Sequence, residues 1–155
     1  TGSLGHGLGM AVGMAYAEQF NGSDTRIYVV LSDGELQEGS TWEAAQMAAN
    51  LRLDNLLVFV DMNDFGGLER ISAAHPAVYP VRDKFRTFGW SSIDGDGHDA
   101  AQMKFLLQVR DRGRPFGMIC HTVKGRGVSF MENAPIWHYR SPNAAEYEQA
   151  ITELA

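Results

Sequence analysis

The residues best suited to chemistry stand just past the apolar runs of this chain. Ser32-Asp33-Gly34 follows Arg26 to Leu31, and Asp61-Met62-Asn63 follows Asn55 to Val60. His121-Thr122-Val123-Lys124 follows a third run that begins at Phe116. A hard cation such as Mg2+ takes oxygen ligands in octahedral geometry and is usually held by one or two side chains, with phosphate oxygens and water completing the shell. Asp33 offers a carboxylate oxygen, Asn63 an amide oxygen, and a backbone carbonyl near Phe65 a third donor. Gly34, which has no Cβ, lets the main chain come close to a phosphate. Taken singly, Asp33, Gly34 and Asn63 are also what ordinary turns after strands contain.

Such residues are useful only if the chain gathers them at one place. Arg26 to Leu31 and Asn55 to Val60 are β-rich and continuously apolar, the pattern of strands covered on both faces. Between them, the sequence predicts a helix from Thr41 to about Leu51, with Ser40 as its cap and Glu43 in capping-box position. Strand, helix and strand in this order make a βαβ unit with a parallel sheet. Upstream, the Gly, Ala and Met spacing from Leu8 to Phe20 predicts a buried helix whose small residues admit another backbone, with its methionines in the core.

Downstream, an irregular loop from Leu68 to Val81 precedes a helix (Arg82 to Phe88), a strand (Trp90 to Ile93), a helix (Asp99 to Arg110) and a strand (Phe116 to Thr122). A Gly-rich loop then leads to a terminal helix from Ala144 to Leu154. The alternation predicts an α/β fold, a doubly wound and mostly parallel sheet with helices on both faces. In such sheets ligands sit outside the carboxyl ends of the strands, where the polar residues above are found.

The 155 residues and 45% hydrophobic content suit a single domain spanning 1–155. Because the chain begins at Thr1 and runs directly into a Gly-rich segment, it reads as part of something longer. A net charge of −6 argues against nucleic acid and against an anionic membrane surface as partners, since both are held mainly by Lys and Arg. An anionic ligand must therefore be held locally, by backbone dipoles or a metal. Cys120 is the only cysteine, which rules out an intrachain disulfide and fits a cytoplasmic setting.

A longer pattern joins these pieces. Ser32-Asp33-Gly34, then 28 intervening residues, then Asn63, resembles the thiamine-diphosphate signature, with Ser32 in place of its first glycine. The run Asp33-Gly34-Glu35-Leu36-Gln37-Glu38-Gly39-Ser40-Thr41-Trp42-Glu43-Ala44, followed by Leu53-Asp54-Asn55-Leu56, resembles the transketolase family in particular. Thr1-Gly2-Ser3-Leu4-Gly5 is similar to that family's segment against the cofactor. Lys124 to Asn133 and Trp137-His138 look like the corresponding region of two-subunit transketolases.

The resemblance implies the pyrophosphate-binding half of a transketolase, which transfers a two-carbon ketol unit from a ketose to an aldose. It implies thiamine diphosphate and Mg2+ (or Ca2+ or Mn2+) as cofactors. Asp33, Asn63 and the Phe65 carbonyl would hold the metal, and Gly2, Ser3, Leu4, Gly34, Asn63 and Lys124 would line the cofactor. His138 and Glu38 would serve catalysis, Glu38 at the subunit contact. His6 either approaches the cofactor or packs at the helix start. The family's upstream histidines, and the glutamate of its pyrimidine-binding domain, have no counterpart in these residues. A pyrimidine-binding partner subunit or domain is therefore expected, in a heterotetramer, with a sugar as substrate. Tyr139 and the Asp64 to Val81 loop depart from the family pattern. Alternatives are another thiamine-diphosphate enzyme, such as 1-deoxyxylulose-phosphate synthase, or a non-catalytic interaction subunit of the same fold.

Overall fold

A computed structural model describes residues 2–155, so Thr1, the first residue of the N-terminal motif, lies outside the described residues. The elements run α1 (Gly7–Phe20), β1 (Ile27–Ser32), α2 (Gly39–Asn50), β2 (Leu56–Met62), β3 (Phe65–Gly66), β4 (Glu69–Arg70) and α3 (Ile71–Ala74). They continue with α4 (Val81–Thr87), β5 (Ser91–Asp96), α5 (Ala100–Val109), β6 (Phe116–His121) and α6 (Ala144–Leu154). Short 3-10 turns fill Gly34–Gln37, Pro76–Val78 and Pro135–His138.

Four strands form one parallel sheet in the order β1-β2-β6-β5. Because all four run the same way, their carboxyl ends meet at one edge of the sheet. The register pairs Ser32 with Asp61 and Met62 with His121, so the residues following β1, β2 and β6 emerge side by side. The period-2 alternation of a strand sends neighbouring side chains to opposite faces. Leu56, Val58 and Val60 accordingly join one core cluster with Ala11 of α1, Ala45 of α2 and Phe85 of α4. Leu57 joins the other cluster, with Leu106 of α5 and Phe116 and Met118 of β6. Helices thus cover both faces of β2 and β6, as their apolar runs predict, but β1, expected to be covered likewise, leaves Tyr28 and Val30 exposed on one face because it lies at the sheet edge. Trp90 anchors the first cluster: its indole N–H donates to the Ala45 carbonyl at 2.8 Å, and its ring meets Phe85 edge-on at 5.1 Å.

Four further sequence expectations are corrected. Ser40 does not cap α2; the helix begins at Gly39, Glu38 occupies the cap position without a side-chain bond, and the Ser40 hydroxyl donates instead to the Gly5 carbonyl. A long-range contact has outcompeted the local cap. α1 is buried along Leu8, Ala11, Val12 and Ala15 only; Met10 and Phe20 on its other side are 65% and 79% exposed, so its methionines are not all core. The segment from Leu68 to Val81 is not irregular throughout, since it holds β4, α3 and a 3-10 turn. β5 extends to Asp96, because its pairing with β6 continues to the Asp96–His121 match. Among the described residues, no helix is long and apolar enough to cross a membrane.

Candidate cofactor and metal site

The N-terminal segment is fastened to the sheet edge through Gly5. Its φ of +76° lies in the left-handed region, and a Cβ there would stand 2.9 Å from the Cβ of Glu38. The Gly5 N–H donates to Glu35 Oε1 at 3.1 Å, and its carbonyl accepts from Ser40 at 2.9 Å. These bonds lay Gly2 and Leu4 along the rim of a crevice over the strand tips.

At the tip of β1, Asp33 is fully buried (0% exposed), and each of its carboxylate oxygens accepts from a main-chain amide. Oδ1 takes the Gly34 N–H at 2.8 Å and Oδ2 takes the Asp64 N–H at 2.6 Å. Burial pushes its pKa up to about 6; the amide bonds from Asp64 and Gly34 oppose that rise, and the neighbouring charges of Asp61 and Asp64 add to it. At the tip of β2, the Asn63 side-chain N–H2 donates to Asp61 Oδ2 at 2.9 Å, while its Oδ1 accepts from the Phe65 N–H at 2.9 Å. The Thr122 hydroxyl, just past β6, donates to the other Asp61 oxygen. The main chain of β3 lies beside Gly34, where an added Cβ would meet the Gly66 Cα at 3.5 Å, an ordinary contact.

A crevice of about 640 Å³ opens above these groups. The structure brings Gly2, Leu4, Gly34, Glu38, Asn63, Phe65, Lys124 and His138 together on its walls, which gathers most of the residues singled out in the sequence. Ser3 lines an adjoining crevice instead, with His6 and Met10; the two share Leu4, Ser32 and Asp61. His6 is exposed, its ring Nδ1 2.9 Å from the Leu4 carbonyl, and so does not pack within a buried helix start. Asp33 lies beneath the wall and not on it. His138 ends the Pro135–His138 turn, and its ring meets Tyr139 edge-on at 4.7 Å. Tyr139 stands where the sequence departs from the family pattern; its hydroxyl would be 2.9 Å from a Cβ on Gly67, so the phenol packs against that turn on the crevice wall.

The donors suit a hard divalent cation. Asp33, Asn63 and the main chain at Phe65 offer oxygen only, and an ionised carboxylate has more lone pairs than the two amide bonds of Asp33 consume. A buried carboxylate flanked by two further acids is a place where a cation lowers the energy. Among the described residues, no group of three His, Cys, Asp or Glu side chains is placed to hold an ion, so a metal here would lean on amide, carbonyl and phosphate oxygens.

The sequence reading gave no role to Ser32, Asp61 or Gly67, all of which line the crevice. Asp61 was detectable in principle: it ends an apolar run two residues before Asn63, and the parallel register places it beside Ser32. Gly67 is brought in by the β3–β4 hairpin, which carries no periodicity signal.

Known proteins resemble the chain along nearly its whole length. Residues 1–154 match the family described as "Transketolase, thiamine diphosphate binding domain". The chain is 41% identical to one of the subunits of the apulose-4-phosphate transketolase of Actinobacillus succinogenes, over 99% of this chain and 56% of that protein. It is 36% identical to a 6-deoxy-6-sulfo-D-fructose transketolase subunit of a Clostridium species, again over 99% and 56%, and 39% identical to human transketolase over 99% and 25%. The crystal structure of Campylobacter jejuni transketolase superposes with a TM-score of 0.87 at 26% identity, covering 97% of this chain and 25% of that one. The chain therefore spans about half the length of the relatives named as subunits and a quarter of human transketolase.

Proposed function

The chain belongs to the transketolase family, as its thiamine diphosphate binding domain, and on that premise we propose that it is the diphosphate-anchoring half of an enzyme that moves a two-carbon ketol unit from a ketose to an aldose. The observation that carries the reading is the crevice at the strand tips, where the glycines, the amide of Asn63, Lys124 and His138 converge on one volume.

Thiamine diphosphate, when bound, supplies a ring that serves as an electron sink for the two-carbon fragment. The protein's own groups do the rest. Asp33, Asn63 and the Phe65 carbonyl would hold Mg2+, or Ca2+ or Mn2+ in its place. Gly2, Ser3, Leu4, Gly34 and Asn63 would flank the cofactor. Lys124, half-buried in the crevice wall, offsets phosphate charge. The exposed ring of His138, on the crevice wall, would face the sugar and exchange protons with its oxygens. Glu38, exposed at the start of α2, would reach a neighbouring subunit.

Completion of the site by a pyrimidine-binding subunit, in a heterotetramer, is part of the same proposal. Two of the relatives are themselves named as subunits of transketolases. The exposed side of α1 is the proposed contact, and a cytoplasmic setting suits the single buried thiol of Cys120. Titration calorimetry with thiamine diphosphate and Mg2+, with and without the partner, tests the anchoring role; absence of binding in both cases would leave a non-catalytic subunit. Two-carbon transfer between sugars, as opposed to decarboxylation of pyruvate, separates a transketolase from a 1-deoxyxylulose-phosphate synthase.

A further inference from the structure

Asp64 stands between two of the residues proposed as metal ligands, Asn63 and Phe65, and it is one of few non-glycine residues with a positive φ, +69°. Aspartate tolerates this left-handed conformation better than most side chains, but it does not select it unaided. The carboxylate supplies what selects it. Oδ1 accepts from the Ser72 N–H at 2.8 Å and from the Tyr79 hydroxyl at 2.9 Å. Oδ2 accepts from the Ser72 hydroxyl at 2.8 Å and from Arg70 at 3.1 Å. The Asp64 carbonyl accepts in turn from the Ile71 N–H at 3.0 Å.

One side chain thus gathers the hairpin, the helical turn and the 3-10 turn that follow β2. Its main chain faces the other way, donating the N–H to Asp33 Oδ2 at 2.6 Å. Arg70, held by Asp64, also lies 4.6 Å over the Phe65 ring and so braces the residue on the far side. The backbone angles at Asp64 orient the peptide whose Phe65 N–H meets Asn63 Oδ1 and so set where Phe65 enters β3, and the Asp64 N–H fixes the Asp33 carboxylate.

We infer that Asp64 is a positioning residue for the metal site: it touches none of the chemistry, and through its grip on Ser72, Tyr79 and Arg70 it orients Asp33, Asn63 and Phe65 toward a common divalent cation. The inference rests on the metal reading above and extends it to a residue with no ligand role.

The test uses the full-length protein with its partner subunit, Mn2+ as the probe in the presence of thiamine diphosphate, and electron paramagnetic resonance to count free ion. Groups that orient metal ligands typically contribute 10- to 100-fold in affinity, so Asp64→Ala is expected to weaken Mn2+ binding by about that factor while circular dichroism stays unchanged. Asp64→Asn, which tolerates the same backbone and can still accept from Ser72 and Tyr79, should recover most of the loss. Recovery by Asn is a result that general loosening of the loop would not give. Wild-type affinity in Asp64→Ala, alongside lost binding in Asp33→Asn, overturns the inference and leaves the metal site standing. Wild-type affinity in both overturns the metal site itself. If Asp64→Ala does not fold, the Ser72→Ala, Tyr79→Phe double variant decides: weakened binding supports the role and unchanged binding overturns it.

Discussion

Asn63 donates its side-chain N–H2 to the Asp61 carboxylate at 2.9 Å, and this bond determines which end of the amide faces Phe65. With the nitrogen engaged by an acceptor-only group, the carbonyl oxygen is turned to the Phe65 N–H, which leaves it a second lone pair. Asp61 is steadied in turn by the Thr122 hydroxyl across the strand tips, so β6 also contributes to the orientation of a side chain on β2.

Removing Asp61 should therefore harm ligand binding more than folding. Asp61→Ala is expected to lower the affinity for thiamine diphosphate with Mg2+ by about tenfold, the low end for groups that orient ligands. Calorimetry together with an unchanged thermal transition would check it; full affinity would show that Asn63 orients without its partner.

Asp33→Ala should abolish Mg2+-dependent cofactor binding, yet it is a blunt variant. It leaves the Gly34 and Asp64 amides without an acceptor in a buried place, at about 1–3 kcal/mol each. Asp33→Asn removes the charge and keeps one of the two acceptors, its NH2 standing against the other amide. Loss of Mg2+-dependent binding is expected for both variants, with a smaller drop in the urea midpoint for Asn than for Ala. Retained affinity in the Asn variant would remove Asp33 from the metal site.

The Cys120 thiol should be inert in the folded protein. Burial pushes its pKa up to about 11, and the Asp61 charge adds to the rise. At pH 8 the thiolate that alkylating agents need is scarce as well as covered. Mass spectrometry should find no iodoacetamide adduct on native protein and complete modification in urea; rapid native labelling would contradict the burial.

On α1, Met10, Met14 and Phe20 expose apolar surface while Gly9 and Gly13 face open space. Met14→Glu should leave the chain's circular dichroism unchanged and shift its assembly with the partner to higher concentration in sedimentation velocity. Unaltered assembly would move the contact off this helix.

How legible all this was in the sequence depended on what specified each part. Leu56 to Val60 and Phe116 to Cys120 read correctly as strands because burial on both faces leaves an unbroken apolar run. The terminal helix read correctly from Ala144 to Leu154, since Asn143 and Glu146 form a local capping box. Ser40 was misread for the opposite reason: its hydroxyl answers to Gly5, 35 residues away, and no local pattern carries that contact. The hairpin and turns after Asn63 were hidden because they are organised by the single carboxylate of Asp64 and not by any hydrophobic period. The residues that gather on the crevice are picked out in the sequence by the family motif; chemistry alone offers only Asp, Asn and Gly in turns.

β1 lies at the border of its sheet, and from Ile27 to Leu31 it carries no charge. Val30 is 71% exposed there, and Tyr28 is exposed beside it. An uncharged, unshielded border strand is a template on which further copies can stack, and nature usually blunts such borders with lysine, proline or a cover. Produced by itself, the polypeptide should drift into insoluble deposits during synthesis. Val30→Lys, or co-expression with the proposed partner, should return it to solution.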